Sequence, residues 1–472
     1  MRKIIENLLY QVIFQIAKIV IPLISVPIVS RTLGPSGVGL YNYTNSIAQY
    51  FVILAGLGIS LYGNREISRS RDSKTNLSES FWELVFLKFI TSSILIILYF
   101  VFIVSLDDPL VYIVQSISIY AVIFDISWFY MGLEDFKKVT VISLLCQVTG
   151  LIFIIIFIKN ENDVIKYILI QGLSLFCAQL FTWFFVFKYV EFRFPKIERI
   201  LYHLSKSLAY LIPQVSVLFY TNLNKTILGI FTTTSDVAFY SNAQTINTMV
   251  IMMITTLDTV LLPKMSYLSS KNNHKGLLEI MKKSIHSQLF VSIGAVFGLI
   301  AISKSLVPWF FGNDFLILSN IIPLFAPLLA IVPLGMAISR QYLLPVGEIK
   351  KYNYSVVFGA VISIIISLST INYLGIYAAI LATIVSEIFV TVSRVYSFVK
   401  KENFIFNRLL IFKFFLSGIL MLLSVNFITS YFEMEWSPIT TMIQVIIGVL
   451  VYLTSIFILK ASPLKIWKDS SK

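Results

Sequence analysis

Six basic residues sit inside long apolar runs of this chain: Lys18, Arg31, Lys88, Lys225, Lys304 and Arg340. A charge at the centre of a bilayer costs at least ~2.5–3.5 kcal/mol on insertion scales, and such residues usually face a cavity or a partner. Lys88, Lys304 and Arg340 fall near the ends of their runs, where a long side chain can instead snorkel to the interface. Lys18 and Lys225 lie deeper. Arg31 ends its run but occupies the position of Lys225 in an internal repeat. Arg31 and Lys225, assisted by Lys18 and Arg340, are therefore candidate partners for an anionic group. Three acids share the apolar runs: Asp125, Asp258 and Glu387. Each is either a neutralising partner for a lysine or a coupling site for a proton or sodium ion.

Amides and hydroxyls form two stripes. Asn42, Asn45, Ser46 and Gln49 are spaced i, i+3, i+4 and i+7, which puts them on one helical face. Ser241, Gln244, Thr245 and Thr248 repeat that spacing. One reading is polar glue between helices, worth about 0.6 kcal/mol per contact. The other is the wall of a hydrated cavity, favoured by the cations beside both stripes.

Other chemistries find no support. No G-x-x-x-x-G-K-[ST], H-E-x-x-H or G-x-S-x-G motif occurs. Cys146 and Cys177 have no C-x-x-C partner, and both lie in apolar runs. His203, His274 and His286 are scattered through basic stretches and read as solvated interfacial residues. The expectation is no metal, no cofactor and no enzyme.

The elements that carry these residues follow from composition. The chain has 472 residues, 57% hydrophobic and 13% charged, with 24 Tyr and a mean hydropathy of +0.85. A soluble domain carries about 25% charge. A spanning helix needs about 20 apolar residues. Fourteen spans are expected: 8–33, 37–62, 80–106, 110–133, 139–158, 164–188, 207–231, 236–264, 285–311, 316–344, 352–372, 375–398, 409–431 and 438–460. Turn chemistry punctuates them at Gly34-Pro35-Ser36, Asp107-Asp108-Pro109 and Gly312-Asn313-Asp314. The shortest division falls at Asn372-Tyr373-Leu374-Gly375.

The loops alternate in charge. Loops on the side of the amino terminus, with both termini, hold 29 Lys and Arg, from Arg2 and Lys3 to Lys465, Lys468 and Lys472. The opposite loops hold only Lys159 and Lys166, with acids such as Asp107, Asp108, Glu161, Glu433 and Glu435. The positive-inside rule then puts both termini in the cytoplasm of a multi-pass plasma-membrane protein. A wrong span count would scramble this alternation. The net charge of +13 is accounted for by basic loops against an anionic leaflet, so no nucleic-acid partner is expected. Met1-Arg2-Lys3 precedes an apolar run with no small-residue cleavage site and reads as a retained first helix.

The chain also resembles itself. Ile21-Pro22 pairs with Ile212-Pro213, and the stretch from Val38 to Ile47 aligns with that from Val237 to Ile246. Arg31-Thr32-Leu33-Gly34 matches Lys225-Thr226-Ile227-Leu228-Gly229 with one insertion. The matches fall at spans one–two and seven–eight, six spans apart, so the repeats are parallel. The expected architecture is all-α: two pseudo-symmetric six-helix lobes, 1–200 and 201–400, followed by two helices and a tail, 401–472.

The stretch from Pro22 to Tyr41, which contains Arg31-Thr32-Leu33-Gly34-Pro35-Ser36-Gly37, resembles the opening of Wzx-type polysaccharide flippases. So does Leu57-Gly58-Ile59-Ser60-Leu61-Tyr62-Gly63-Asn64-Arg65-Glu66, followed by Arg71-Asp72. These belong to the multidrug/oligosaccharidyl-lipid/polysaccharide exporter superfamily. The resemblance implies export of undecaprenyl-diphosphate-linked oligosaccharide repeat units to the outer leaflet by alternating access, for capsule, exopolysaccharide or O-antigen. It implies work alongside a polysaccharide polymerase and chain-length proteins. The residues fit: cations suit a diphosphate, and the stripes suit sugar hydroxyls. A cation-coupled drug exporter of the same fold would want more carboxylates, whereas bases outnumber acids in these spans. A membrane glycosyltransferase or polymerase would want a large external loop.

Overall fold

The computed structural model describes residues 2–106 and 108–461, with side chains from Tyr10 onward except those of Gln11, Pro213, Ser216 and Tyr220. The side chains of Arg2 and Lys3, the tail lysines Lys465, Lys468 and Lys472, and Asp107 lie outside the described residues.

Every regular element among the described residues is helical. The chain runs α1 Arg2–Gly56, α2 Ile59–Ser70, α3 Lys74–Ile103, α4 Pro109–Gln115, α5 Ile117–Phe124, α6 Ser127–Gly132, α7 Phe136–Phe157, α8 Val164–Val186 and α9 Ile197–Phe231. It continues α10 Thr234–Ser270, α11 His274–Phe310, α12 Leu318–Phe325, α13 Leu328–Ile338, α14 Ile349–Leu374, α15 Ile376–Glu402, α16 Arg408–Tyr431 and α17 Pro438–Ile458. Among the described residues, twelve stretches are long and apolar enough to cross a membrane. The first, Val12–Ser70, holds two expected spans, because Gly34 (φ 64°) breaks α1 ahead of Pro35. The expected seventh span is α9, whose Gln214, Asn222, Asn224 and Lys225 make it more polar. The fourteen expected crossings are thus accommodated.

Local chemistry sets the ends. Ser73, Asn273, Asn407 and Ser437 cap α3, α11, α16 and α17 by accepting from backbone N–H groups. Thr233 and Asp236 close a reciprocal capping box on α10. A single residue, Gly375 at φ 52°, joins α14 to α15. Without a Cβ it can take that left-handed backbone.

The chain divides into two compact units, Met1–Gly229 and Ile230–Lys472, so the division falls within α9. In the first unit Phe81, Trp82, Trp128, Phe129 and Tyr130 form an aromatic core. The segment α9 packs onto it at Gly58, where φ is 72° and a Cβ would stand 2.7 Å from the Ser207 carbonyl oxygen. In the second unit α11 supplies Met281, Ile285, Leu289 and Ile293, which pack with Tyr342, Phe398 and Phe414.

Two histidine expectations are corrected. His203 is buried; its Nδ1 bonds Tyr62 Oη (2.7 Å) and its Nε2 bonds Glu83 Oε2 (3.0 Å). His286 is also buried. Its Nε2 accepts from the Asn407 N–H, so its Nδ1–H donates to the Lys282 carbonyl. A ring with a polar partner on each nitrogen can be taken out of water, which no count of neighbouring basic residues reveals. Only His274 is exposed, against Glu402.

Candidate functional site

The fourth expected span is not a continuous helix. It breaks between α5 and α6, where Asp125 is extended (φ −70°, ψ 106°). A broken helix in a membrane must find other partners for its freed backbone groups. Here Trp183 Nε1 donates to the Phe124 carbonyl (2.8 Å) and Trp128 Nε1 to the Asp125 carbonyl (3.0 Å). Lys88 Nζ donates to that same carbonyl (2.6 Å) and to Asp125 Oδ2 (2.9 Å). Asp125 Oδ1 accepts from the Ser127 N–H, the first backbone amide of α6, at 3.0 Å. Lys88 is 2% exposed. It therefore does not snorkel; it is the counter-ion of Asp125 and a backbone clasp. Lys304 is exposed, as snorkelling requires.

The first unit also holds three of the four candidate cations. Lys18 is exposed on α1, its ammonium 4.6 Å from the Phe14 ring centroid. Arg31 is exposed one turn before the Gly34 break. Lys225 is half-buried on α9 and, like Arg31, makes no ion pair among the described residues. Its neighbour Thr226 ties α9 to α1: Thr226 Oγ1 meets Ser46 Oγ and Tyr50 Oη, both at 2.9 Å.

The first stripe is partly glue. Asn45 Oδ1 accepts from Gln115 Nε2 at 3.1 Å and from Gln49 Nε2 at 3.4 Å. Asn42 donates to the Val38 carbonyl of its own helix. Asn42, Asn45 and Gln49 nevertheless stay half-buried.

In the second unit Ser241 is buried, Gln244 is half-buried and Thr248 is exposed. Arg340 lies in a π-helical turn, Ser339–Leu343, and its Nη1 donates to Thr259 Oγ1 at 3.0 Å. The same turn aims Gln341 at Asp258. Asp258 Oδ1 accepts from Gln288 Nε2 (2.5 Å) and Gln341 Nε2 (2.6 Å), and Gln341 Nε2 also donates to Ser284 Oγ (2.8 Å). Asp258 is 0% exposed and forms no salt bridge among the described residues. Asp258 Oδ2, Gln288 Oε1 and Gln341 Oε1 are buried without a hydrogen-bond partner. One oxygen of the carboxylate and the amide oxygens of its two glutamine partners thus lack a donor among the described residues, a state that costs free energy to bury. Glu387 is half-buried on α15. The sequence flagged Asp258 and Arg340 but not Gln288 or Gln341. The π-turn brings residues 340 and 341 to two partners on α10, and no helical periodicity encodes it.

Charged loops show simpler electrostatics. Glu348 accepts from Lys401 Nζ at 2.7 Å and lies 3.4 Å from Lys351 Nζ. The Lys401 hydrogen bond holds its carboxyl below the usual glutamate value. Lys74 does the same for Glu191, on the segment after α8.

Residues 4–269 match the family described as "Polysaccharide biosynthesis protein". A candidate O-antigen transporter of Shigella dysenteriae is 19% identical over 82% of this chain and 97% of its own. One of Escherichia coli is 24% identical over 62% of this chain and 72% of its own. Among solved structures, a lipid II flippase MurJ superposes with a TM-score of 0.77 at 17% identity, covering 95% of this chain and 98% of that one. A multidrug resistance MATE family transporter of the MOP superfamily follows at 0.63 and 14%, covering 89% and 98%. These two likenesses speak for the fold.

Proposed function

Because the chain belongs to the polysaccharide biosynthesis protein family, we propose that it is a flippase for undecaprenyl-diphosphate-linked oligosaccharide repeat units. It moves them from the cytoplasmic to the outer leaflet by alternating access, for surface polysaccharide assembly. The relatives named as O-antigen transporters support this reading, and it makes the protein a transporter and not an enzyme. The lobes are 1–200 and 201–400, with 401–472 appended. The membrane is the plasma membrane, with both termini cytoplasmic, and a polysaccharide polymerase and chain-length proteins act downstream.

The observation that carries the site is Lys225: half-buried and without an ion-pair partner among the described residues, beside the α1–α9 junction at Thr226. A cation held in that state suits an anionic diphosphate. Arg31 joins it, with Lys18 and Arg340 assisting. Asn42, Asn45, Gln49, Ser241, Gln244 and Thr248 offer amides and hydroxyls to the sugars. The ion pair with Lys88 supports the charge-pairing role for Asp125 over the coupling one. Asp258, with its orphaned oxygen neighbours, is the carboxylate for a coupling proton or sodium ion; Glu387 is secondary.

The test is export in cells carrying single substitutions, normalised to the amount of protein in the membrane. Removing a charge-assisted contact costs ~1.5–3 kcal/mol, about one to two decades in affinity. Lys225→Gln and Arg31→Gln lose export, while Lys225→Arg keeps more of it than Lys225→Gln. Wild-type export by both Gln variants would remove the diphosphate assignment.

A further inference from the structure

A cavity of about 160 Å³ opens between α14 and α15 near the basic ends of both helices. Its charged lining is cationic: Lys351 from α14 and Arg394 from α15, with the hydroxyls of Ser355, Ser393 and Ser397 between them. Arg394 is 6% exposed. Its Nε donates to Ser355 Oγ at 2.8 Å, its Nη1 reaches the Gly335 carbonyl at 3.4 Å, and its guanidinium sits 5.0 Å from the Tyr352 ring centroid. A guanidinium fixed in this way supplies a permanent positive charge to the cleft, and the exposed ammonium of Lys351 is the group that can meet an anion. One carboxylate, Glu348, is shared between Lys351 and Lys401, so the mouth keeps an excess of positive charge.

The lining grades along the helix axes. On α15, Ser397, Ser393 and Phe389 are spaced four apart, and on α14, Lys351, Ser355 and Phe358 follow at four and three; both sets keep one face. At about 1.5 Å per residue the polar end and the phenyl end lie about 12 Å apart. Phe389 is 40% exposed and Phe358 55%. The site is therefore cationic and hydroxylic at one end and apolar at the other, the profile of an amphiphile with a negatively charged head. Basic pockets between spans at the cytoplasmic surface take lipid headgroups.

We infer that this cleft between α14 and α15 binds the phosphodiester head of an anionic phospholipid from the cytoplasmic leaflet, with its upper acyl region along Phe358 and Phe389. The inference rests on the orientation proposed above but not on the flippase substrate. Free phosphate shares the head chemistry and lacks the acyl chains, so the two can be told apart.

The test uses the purified full-length chain in neutral detergent, titrated with phosphatidylglycerol, phosphatidylcholine or inorganic phosphate, with bound lipid counted by native mass spectrometry. Phosphatidylglycerol is expected to be retained in preference to phosphatidylcholine, and millimolar phosphate is not expected to displace it. Lys351→Gln weakens retention about fivefold, the effect of one surface lysine. Ser397→Phe fills the cavity and abolishes the preference. Lys351 is solvent-facing, so that variant folds even if Ser397→Phe does not. Equal retention of the two lipids, displacement by phosphate, or unchanged retention in Lys351→Gln would overturn the site. No polyprenyl lipid enters this assay, so its failure leaves the flippase reading standing, and loss of that reading leaves this one.

Discussion

Replacing Lys88 by Met tests whether the Lys88–Asp125 pair is architecture or transport machinery. The ammonium is buried and bonds both the carboxylate and the carbonyl of Asp125. Removing Lys88 strands the Asp125 carboxylate, which is 22% exposed, so the cost is about 1–3 kcal/mol, less than for a fully buried charge. The Asp125 carbonyl keeps Trp128 as donor, so the loss comes mainly from the carboxylate. Asp125→Asn should cost at least as much, because it leaves the buried Lys88 ammonium without a counter-ion and sets an amide NH2 where Oδ2 had accepted from it. The asparagine Oδ1 still accepts from the Ser127 N–H, and Lys88 keeps the backbone carbonyl. With both changes together no buried charge remains, so the double variant should be less damaged than the two single losses added, with a coupling of about 1–3 kcal/mol. Thermal unfolding of the four purified proteins, run at one scan rate, closes the cycle. Export per molecule in the membrane is measured in parallel. If Lys88→Met melts like wild type and yet abolishes export, the pair is a transport element and the structural assignment fails.

Asp258→Asn keeps the shape of the Gln288–Gln341 cluster but not its charge, so it should fold and lose cation-gradient-driven export; export that still follows an imposed gradient would exclude Asp258. Gly58→Ala should destabilise by about 1–3 kcal/mol, read by thermal unfolding, because φ is 72° and the Cβ meets Ser207 at 2.7 Å; an unchanged melting temperature would contradict the close approach of α9. For topology, an impermeant thiol reagent applied outside should label a single Cys at Asp108 or Glu435 and miss one at Asn76 or Asn273; the reverse pattern would invert the orientation.

The long helices were legible because lipid leaves the backbone one solution and apolar runs mark it directly. Alternation of loop charge then separated α14 from α15, although Gly375 alone divides them. What hydropathy missed were the interruptions. The fourth span reads as apolar from Leu110 to Leu133, yet it breaks at Asp125, because Trp128 of the same span and Trp183 and Lys88 from other parts of the fold take up its freed carbonyls. The tenth span breaks into α12, α13 and a π-turn. It carries Pro323, Pro327 and Pro333, whose missing N–H groups loosen the ladder. Candidate cations were visible as charges in apolar runs, but their fates were not. Lys88 and Lys304 share one sequence description, and only packing distinguishes the clasp from the exposed side chain. Gln288 and Gln341 stayed hidden because an amide in an apolar run carries no charge signal, and their convergence on Asp258 depends on three elements meeting.

The most direct measurement asks where lipid-linked repeat units stand when the protein is removed. In cells depleted of this chain, the units should accumulate in the cytoplasmic leaflet, protected from a glycosidase added to spheroplasts. Re-expression of the wild-type chain should make them cleavable, and Lys225→Gln should do so less well. Units that reach the outer leaflet at the normal rate without the protein, while only the length of the finished polymer changes, would contradict the flippase account.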